Sequence, residues 1–560
     1  MRPMKFLPAA FVTCGLALAS PQEEEGENGG SPAVAAEDLE ASLRLSGLEF
    51  TAEEMEAMLG AALWRLRGYD ELRAVPLDNG DLPAVTFSPL MPGVPERALL
   101  EEGVELVLPE VERPADLEDL AFADVATLAS LVRSRKVSCV ELTELFLGRL
   151  ERHDPTLHCV ITALPERARE RARALDAELA EGSWRGPLHG IPWGAKDLLA
   201  TAGAPTTWGA APYREQVLDL DATVVQRLDQ AGAVLVAKLT LGSLAMGDVW
   251  FGETTRNPWN PEVGSSGSSA GSASAVTAGL VPFAIGSETL GSIVSPSVRC
   301  GASSLRPTFG RISRHGAMTL CWSLDKLGPM ARSAADCALV LSAIHGPDGL
   351  DPSVIERPFA WPVASPLEGM RVGYPRGAFG ETPLEEPTLA ELAELGVELV
   401  EVEIPDYPGA VLSLVLAVEA ATAFDEFTRT DLDDDLVRQS PDAWPNFFRS
   451  ARPITAVEFL RAQRARVHLM REFGQVFSGV DALVHPPFAA GLLGLTNLTG
   501  HPTFVCPAAL PEEGQAPSSV CFTGHLFDES RLLALVAAWQ AATPYEDVHP
   551  EGYQPGGEGQ

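Results

Sequence analysis

Lysine is almost missing from this chain. It occurs five times in 560 residues, against 36 arginines, while aspartate and glutamate together number 77. The shortage of cations leaves a formal net charge of −36. Holding a phosphate backbone or an anionic lipid surface requires cations that displace counterions, so nucleic acid and acidic membranes are not expected partners. Acidity of this degree serves solubility or salt tolerance. Cysteine is sparse and scattered: eight residues and no CxxC pair, a spacing that argues against structural zinc. Seven remain if Cys14 leaves with a leader, and an odd number means at least one free or intermolecular thiol. Most are expected to pack as small hydrophobes, although an exported chain could join two of them. Aromatics are only 7% of the chain, yet its 46% apolar content and its length suffice for a large core.

The N-terminus has the form of a targeting segment. Arg2 and Lys5 supply positive charge, Phe6 to Ala19 an apolar run, and Ala17-Leu18-Ala19 a small-x-small cleavage site. The run is short of the about 20 residues that span a bilayer, so residues 1–19 are expected to be a signal peptide and the mature protein periplasmic or secreted, without stable membrane insertion. Residues 20–45, acidic and rich in Gly, Pro and Ala, are expected to be a flexible linker. Thr51 with Glu54 predicts a capping box, and Met55, Met58, Leu59, Leu63 and Leu66 follow at helical spacing. Residues 46–113 are therefore taken as a helical extension, a surface for shaping an entrance or pairing two copies as a homodimer.

The main domain is set at 114–546, with a flexible tail over 547–560. Ser138 and Glu141 predict a second capping box, opening a helix that carries Leu142, Leu145, Phe146 and Leu150. Asp221 is expected to cap the helix bearing Val224, Val225 and Leu228, which Gly232 ends. Short apolar strands follow at 233–238 and 281–285. Alternation of this kind predicts an α/β protein, a large mixed β-sheet core covered by helices on both faces.

Three segments carry chemistry. Gly264-Ser-Ser-Gly-Ser-Ser-Ala-Gly-Ser272 is a dense Gly/Ser stretch leading into a small-residue helix. Gly286-Ser-Glu-Thr-Leu-Gly-Ser-Ile293 holds a second glycine-flanked serine, and Gly190-Ile-Pro-Trp-Gly-Ala-Lys-Asp197 holds a lysine in an apolar setting. Where arginine is the habit, a retained lysine suggests a base that must lose its proton, which arginine cannot do. Each segment alone is a weak signal, since Gly/Ser loops are usually turns and lone lysines are usually surface charges.

Together these residues resemble the amidase-signature family, which includes exported bacterial amidases and the glutaminase part of the glutamyl-tRNA amidotransferase. The resemblance continues through Thr255-Arg-Asn-Pro-Trp259, Leu305-Arg-Pro-Thr-Phe-Gly-Arg311, Leu327-Gly-Pro-Met330 and Leu495-Thr-Asn-Leu-Thr-Gly-His-Pro502. It implies a catalytic triad of Ser292 as nucleophile, Ser268 as a bridging serine on a cis peptide, and Lys196 as base. It further implies an oxyanion hole from the backbone N–H groups of Thr289, Leu290, Gly291 and Ser292, with Ser269 and Glu288 in support. The reaction implied is hydrolysis of a carboxamide through an acyl-enzyme, on a small-molecule substrate. Such chemistry requires Lys196 to lie far from its usual pKa of about 10.4, through burial and the lack of a carboxylate partner. Asp197, next along a strand, should point the other way.

Ser266 and Ala270 stand where the family has glycine, and Leu290 replaces a glycine of the oxyanion loop, which demands negative φ there. Glu288 stands for an aspartate and Val294 for an arginine, changes expected to alter specificity before activity. Residues 346–480 are expected to build the acyl pocket, with the stretch Val411 to Phe427 as one wall unless it is core. Two other functions fit the same scaffold: a glutaminase subunit that works with partners near tRNA, against which the leader and the charge both argue, and a silent binding protein, against which the intact triad argues. His485, His501 and Cys506 invite a Cys–His reading, but no glycine elbow surrounds Cys506. No nucleotide loop, haem box or metal-ligand cluster stands out, so no cofactor is expected.

Overall fold

Eleven strands form one mixed sheet. In chain order they are β1 (Val160–Ala163), β2 (Pro192–Lys196), β3 (Val234–Leu239), β4 (Phe283–Glu288), β5 (Ser303–Arg306), β6 (Lys326–Ala331), β7 (Arg371–Pro375), β8 (Glu398–Val402), β9 (Ala482–His485), β10 (Thr503–Pro507) and β11 (Ser519–Gly524). Their order across the sheet is 8-7-9-11-10-5-6-4-2-3-1. The central strands β2, β3 and β6 are buried at every position, whereas the edges β1 and β8 are partly exposed. Burial on both faces follows from helices laid over each side of the sheet, and it explains the unbroken apolar runs of the inner strands.

The structure, a computed structural model, describes residues 35–105, 107–364, 367–381, 386–512 and 514–555. The expected leader over 1–19 and most of the expected linker lie outside them. The chain divides into two compact units, Met1–Pro76 and Leu77–Gln560. In the first, Thr51 caps the helix Ala52–Arg73 and Glu54 returns the hydrogen bond at 2.8 Å. A second helix, Ala36–Leu45, corrects the linker reading of 20–45: Asp38 accepts the Ala35 N–H at 2.9 Å and Glu37 joins it in the first turn, favourable at a helix N-terminus.

The helical extension also ends early. Beyond Pro76 the chain carries Pro83, Pro89, Pro92 and Pro95, whose rings and missing N–H groups prevent a helix, and this stretch is a strap within the second unit. Asn79 bonds the backbone of Thr319 and Ala423, Phe87 packs edge-on to Phe309, and Arg97 pairs with Asp481 at 2.7 Å. The tail is anchored as far as it is described: the Tyr553 carbonyl accepts from Arg149 at 2.7 Å, and His549 stacks on Phe122 at 4.0 Å. Ser138 caps the helix Cys139–Leu157 as expected. Asp221 does not cap its helix: Ala222 takes that place, and the Asp221 carboxylate instead accepts the Ala202 N–H at 2.9 Å. All seven cysteines among the described residues are buried free thiols.

Candidate active site

Two parallel neighbours, β2 and β4, bring Lys196 and Ser287 together at their carboxyl ends, where open α/β sheets place their ligands. On the other side of β2, Gly194 makes room for β3, since a Cβ there would meet the Leu239 side chain at 2.3 Å. Lys196 is wholly buried, and its Nζ donates to the hydroxyls of Ser268 at 2.9 Å, Ser269 at 3.0 Å and Ser287 at 2.9 Å. Among the described residues it makes no ion pair. Burial lowers its pKa to about 7, against the weaker upward pull of Asp325 and Glu288.

The Gly/Ser stretch delivers two of these hydroxyls. Ser266 turns with φ 59°, its N–H donating to Asp248 at 2.9 Å, and the following Gly267–Ser268 peptide is cis. A side chain at Gly267 would strike the Gly247 carbonyl at 2.0 Å, so only glycine fits. The small-residue helix Ala270–Thr277 then starts, every residue buried. Ser269 joins the parts. Its Oγ accepts the Ser287 N–H and donates to the Ser287 carbonyl, each at 3.1 Å, while its own N–H donates to the Ser292 carbonyl at 3.0 Å.

After β4 the chain makes a tight turn through Thr289, Leu290 and Gly291 to Ser292. Gly291 carries the positive φ of 80°, and Leu290, as its side chain requires, does not. Glu288 fastens the turn from behind. One carboxylate oxygen accepts the N–H groups of Ile293 and Val294 at 2.8 and 2.9 Å. The other accepts from Arg306 at 2.8 Å and Asn497 at 2.7 Å. Burial works against this carboxylate, but Arg306 and the donated hydrogen bonds hold its pKa at about 2. The N–H groups of Leu290, Gly291 and Ser292 have no acceptor among the described residues, and the half-buried Ser292 hydroxyl makes no hydrogen bond there.

Lys196, Ser268 and Ser269 thus meet through their side chains, while Ser292 joins them through its carbonyl, which accepts the Ser269 N–H. Asp197 faces away as its strand position dictates, pairing with Lys238 at 2.7 Å. Several supporting residues escaped the sequence. Ser287 is a third partner of the lysine. Asp325, raised in pKa by burial, accepts the Thr289 hydroxyl at 2.6 Å and the N–H groups of Leu320 and Cys321. Lys326, also lowered by burial to about 7, donates to the Leu324 carbonyl. The signal for Arg306, Asp325 and Asn497 was present, since each lies within or beside a segment that carries the family resemblance. A cavity of about 20 Å³, room for about one water, adjoins Ser287, Thr289 and Asp325.

Within 346–480, Val411 and Val415 are core residues. Its aromatic part packs on itself and on the segment 213–244: Phe424 and Phe448 stack at 5.3 Å, Phe427 lies 5.7 Å from Tyr213, and Trp444 donates to the Leu244 carbonyl at 2.9 Å. Leu244 precedes Ala245, a wall of the small cavity. The histidines and Cys506 form no catalytic pair. His501 stacks on Phe477 at 4.9 Å, His485 bonds Thr523 at 3.0 Å, and burial raises the Cys506 thiol.

Comparison with known families gives the chain its place. The family model described as Amidase matches residues 141–533. The chain belongs to the amidase family. Among its relatives, the first subunit of the glutamyl-tRNA(Gln) amidotransferase of Methylococcus capsulatus is 34% identical over 481 residues, covering 76% of this chain and 98% of the relative. The peptide amidase of Stenotrophomonas maltophilia superposes with a TM-score of 0.67 at 30% identity, covering 76% of this amidase and 98% of that chain. An amidase family protein from Bacillus anthracis superposes with a TM-score of 0.69 at 26% identity, covering 78% and 93%. This amidase is accordingly an enzyme of the amide-hydrolysing class, acting on carbon–nitrogen bonds.

Proposed function

We propose that this amidase cleaves its substrate through an acyl-enzyme on Ser292. One observation carries the reading: Lys196 is a fully buried amine with hydroxyl and carbonyl partners only, so it can lie neutral near pH 7 and accept a proton. Ser292 Oγ attacks the amide carbonyl carbon as Ser268 takes its proton and passes its own to Lys196. The charge gathering on the carbonyl oxygen is met by the free N–H groups of Leu290, Gly291 and Ser292, with that of Thr289 beside them. Lys196 returns the proton through Ser268 to the departing amine. Water then attacks the acyl–Ser292 ester, with the same relay reversed, and releases the acid. Glu288 positions the turn without touching the reacting atoms, and Ser269 holds the Lys196 Nζ in place at 3.0 Å.

The substrate in this reading is a small carboxamide handled by the chain alone. Arg2, Lys5 and the apolar run to Ala19 support an exported enzyme, and the net charge of −36 supports one that does not work on nucleic acid. A second reading has its own support. The Methylococcus relative belongs to an amidotransferase and aligns over 98% of its length, which favours a glutaminase subunit. Purified full-length protein, tested against a panel of small amides that includes glutamine, separates the two. The acyl-enzyme reading expects turnover of at least one amide without partners, reduced about a thousandfold or more in Ser292→Ala. Glutamine hydrolysis that begins only when partner chains are supplied would establish the second reading instead.

A further inference from the structure

Leu244 and Ala245 both lie in the left-handed region, with φ of 49° and 64°. That conformation costs a residue with a side chain energy, and two in succession persist only where the surroundings hold them. The loop that carries them, residues 242–247, closes on itself. The Gly242 N–H donates to the Gly247 carbonyl at 3.0 Å, and the Ala245 N–H donates to the Gly242 carbonyl at 2.8 Å. A Cβ at Gly242 would lie 2.1 Å from the Met246 carbonyl oxygen, so this closure demands glycine. The loop meets the catalytic segments in two places. Ala245 lines the small cavity together with Ser287 and Thr289. The Gly247 carbonyl sits against Gly267, the residue before Ser268, and the adjoining Asp248 accepts the Ser266 N–H at 2.9 Å. The loop is thus the bed on which the Ser268 segment lies.

Two bonds hold Leu244 from outside the loop. It is wholly buried, and its N–H donates to the Trp208 carbonyl at 2.9 Å. Among the described residues its carbonyl accepts only the indole N–H of Trp444, also at 2.9 Å and from 200 residues away. Trp444 opens the helix Trp444–Ala451 and stacks on Phe448 at 5.0 Å. Its rings fill core space, as any large side chain there could, but its N–H is spent on the loop. Without that donor a buried carbonyl would be left unpaired, on the very peptide that joins the two strained residues. A shift of the loop would relieve both the strain and the unpaired carbonyl. It would also move the support of Ser268, and small displacements of a reacting group are costly in rate.

We propose that Trp444 is a positioning residue for this reaction: its indole N–H holds the strained loop 242–247, and the loop holds the segment that carries Ser268. The inference rests on the reading of Ser268 as the proton relay. Its test compares full-length Trp444→Phe with Trp539→Phe, on the amide that the parent turns over fastest. Trp539 is also buried, and its indole N–H donates to Glu391 at 2.9 Å, among partners outside the loop and the catalytic segments. Both variants should melt a few degrees below the parent. Only Trp444→Phe should lose kcat, by about tenfold or more, with KM changed less than about threefold. Its Ser292 should also react with a fluorophosphonate about tenfold more slowly. Should Trp444→Phe fail to fold, 3-benzothienylalanine at position 444 keeps both rings, puts sulfur in place of the N–H, and should show the same loss. Parent kcat in a folded variant that lacks this N–H, or equal kcat losses at both tryptophans, would overturn the inference. Absence of a Ser292 adduct in the parent would instead overturn the acyl-enzyme reading, and the kcat comparison would still decide the role of Trp444.

Discussion

Lys196 and Lys238 sit on adjacent strands, one register position from direct partners, and both are fully buried. Their surroundings differ in one respect. Lys238 has Asp197 at 2.7 Å, itself held by the Thr207 N–H and hydroxyl, so opposite charge resists the pull of burial on both groups. Lys196 has serine hydroxyls and no ion-pair partner among the described residues, and the weaker pull of Asp325 and Glu288 does not prevent its descent to about 7. The same side chain, at the same depth, is paired with a carboxylate on one strand and with hydroxyls on the next, where we propose it as the base. Local partners, not burial alone, decide the role.

Exchanging either lysine should break the molecule in different ways. The largest effect is expected from Lys196→Met: steady-state turnover should fall about a thousandfold or more while the thermal midpoint stays within a few degrees of the parent. In Lys238→Met the buried Asp197 loses its counter-charge, and chemical denaturation should report a loss of about 3–5 kcal/mol. Turnover per folded molecule should then stay close to the parent. Similar rate losses in both variants would erase the distinction.

Glu288 extends the comparison to the oxyanion turn, since its role depends on partners in the same way. Glu288→Gln should lower kcat about tenfold to a hundredfold with less change in KM, because the turn loses one of its anchors and not the reacting groups. The pH profile sharpens the contrast further. The base must be neutral, and a pKa of about 7 means that kcat/KM should fall about tenfold per pH unit below 7 and level off above it. Thr207→Val, which removes one hydrogen bond to Asp197, should cost about 1 kcal/mol in denaturation and leave that profile in place.

The proposed triad could be named from the sequence because its members sit in local segments whose glycines are required by close packing, as at Gly194 and Gly267. The groups that hold it were less so. Arg306 and Asn497 meet on Glu288 from positions 18 and 209 residues away, a contact made by strand order that no spacing in the chain announces. The bond from the Thr289 hydroxyl to Asp325 spans 36 residues and was equally unannounced. Capping boxes at Thr51 and Ser138 formed as read because each is complete within four residues. Asp221 failed because a tertiary partner, the Ala202 N–H, competed for a carboxylate that local pattern assigned to its own helix. The strap was misread where prolines outweighed the helical stretch before them.

The most direct test of the central claim is labelling with a fluorophosphonate, followed by peptide mapping, at pH 6 and pH 8 in the parent and in Ser292→Ala. The account predicts a single adduct on Ser292, formed faster at pH 8, and no adduct in the variant. An adduct on another serine, or undiminished labelling of Ser292→Ala, would contradict it.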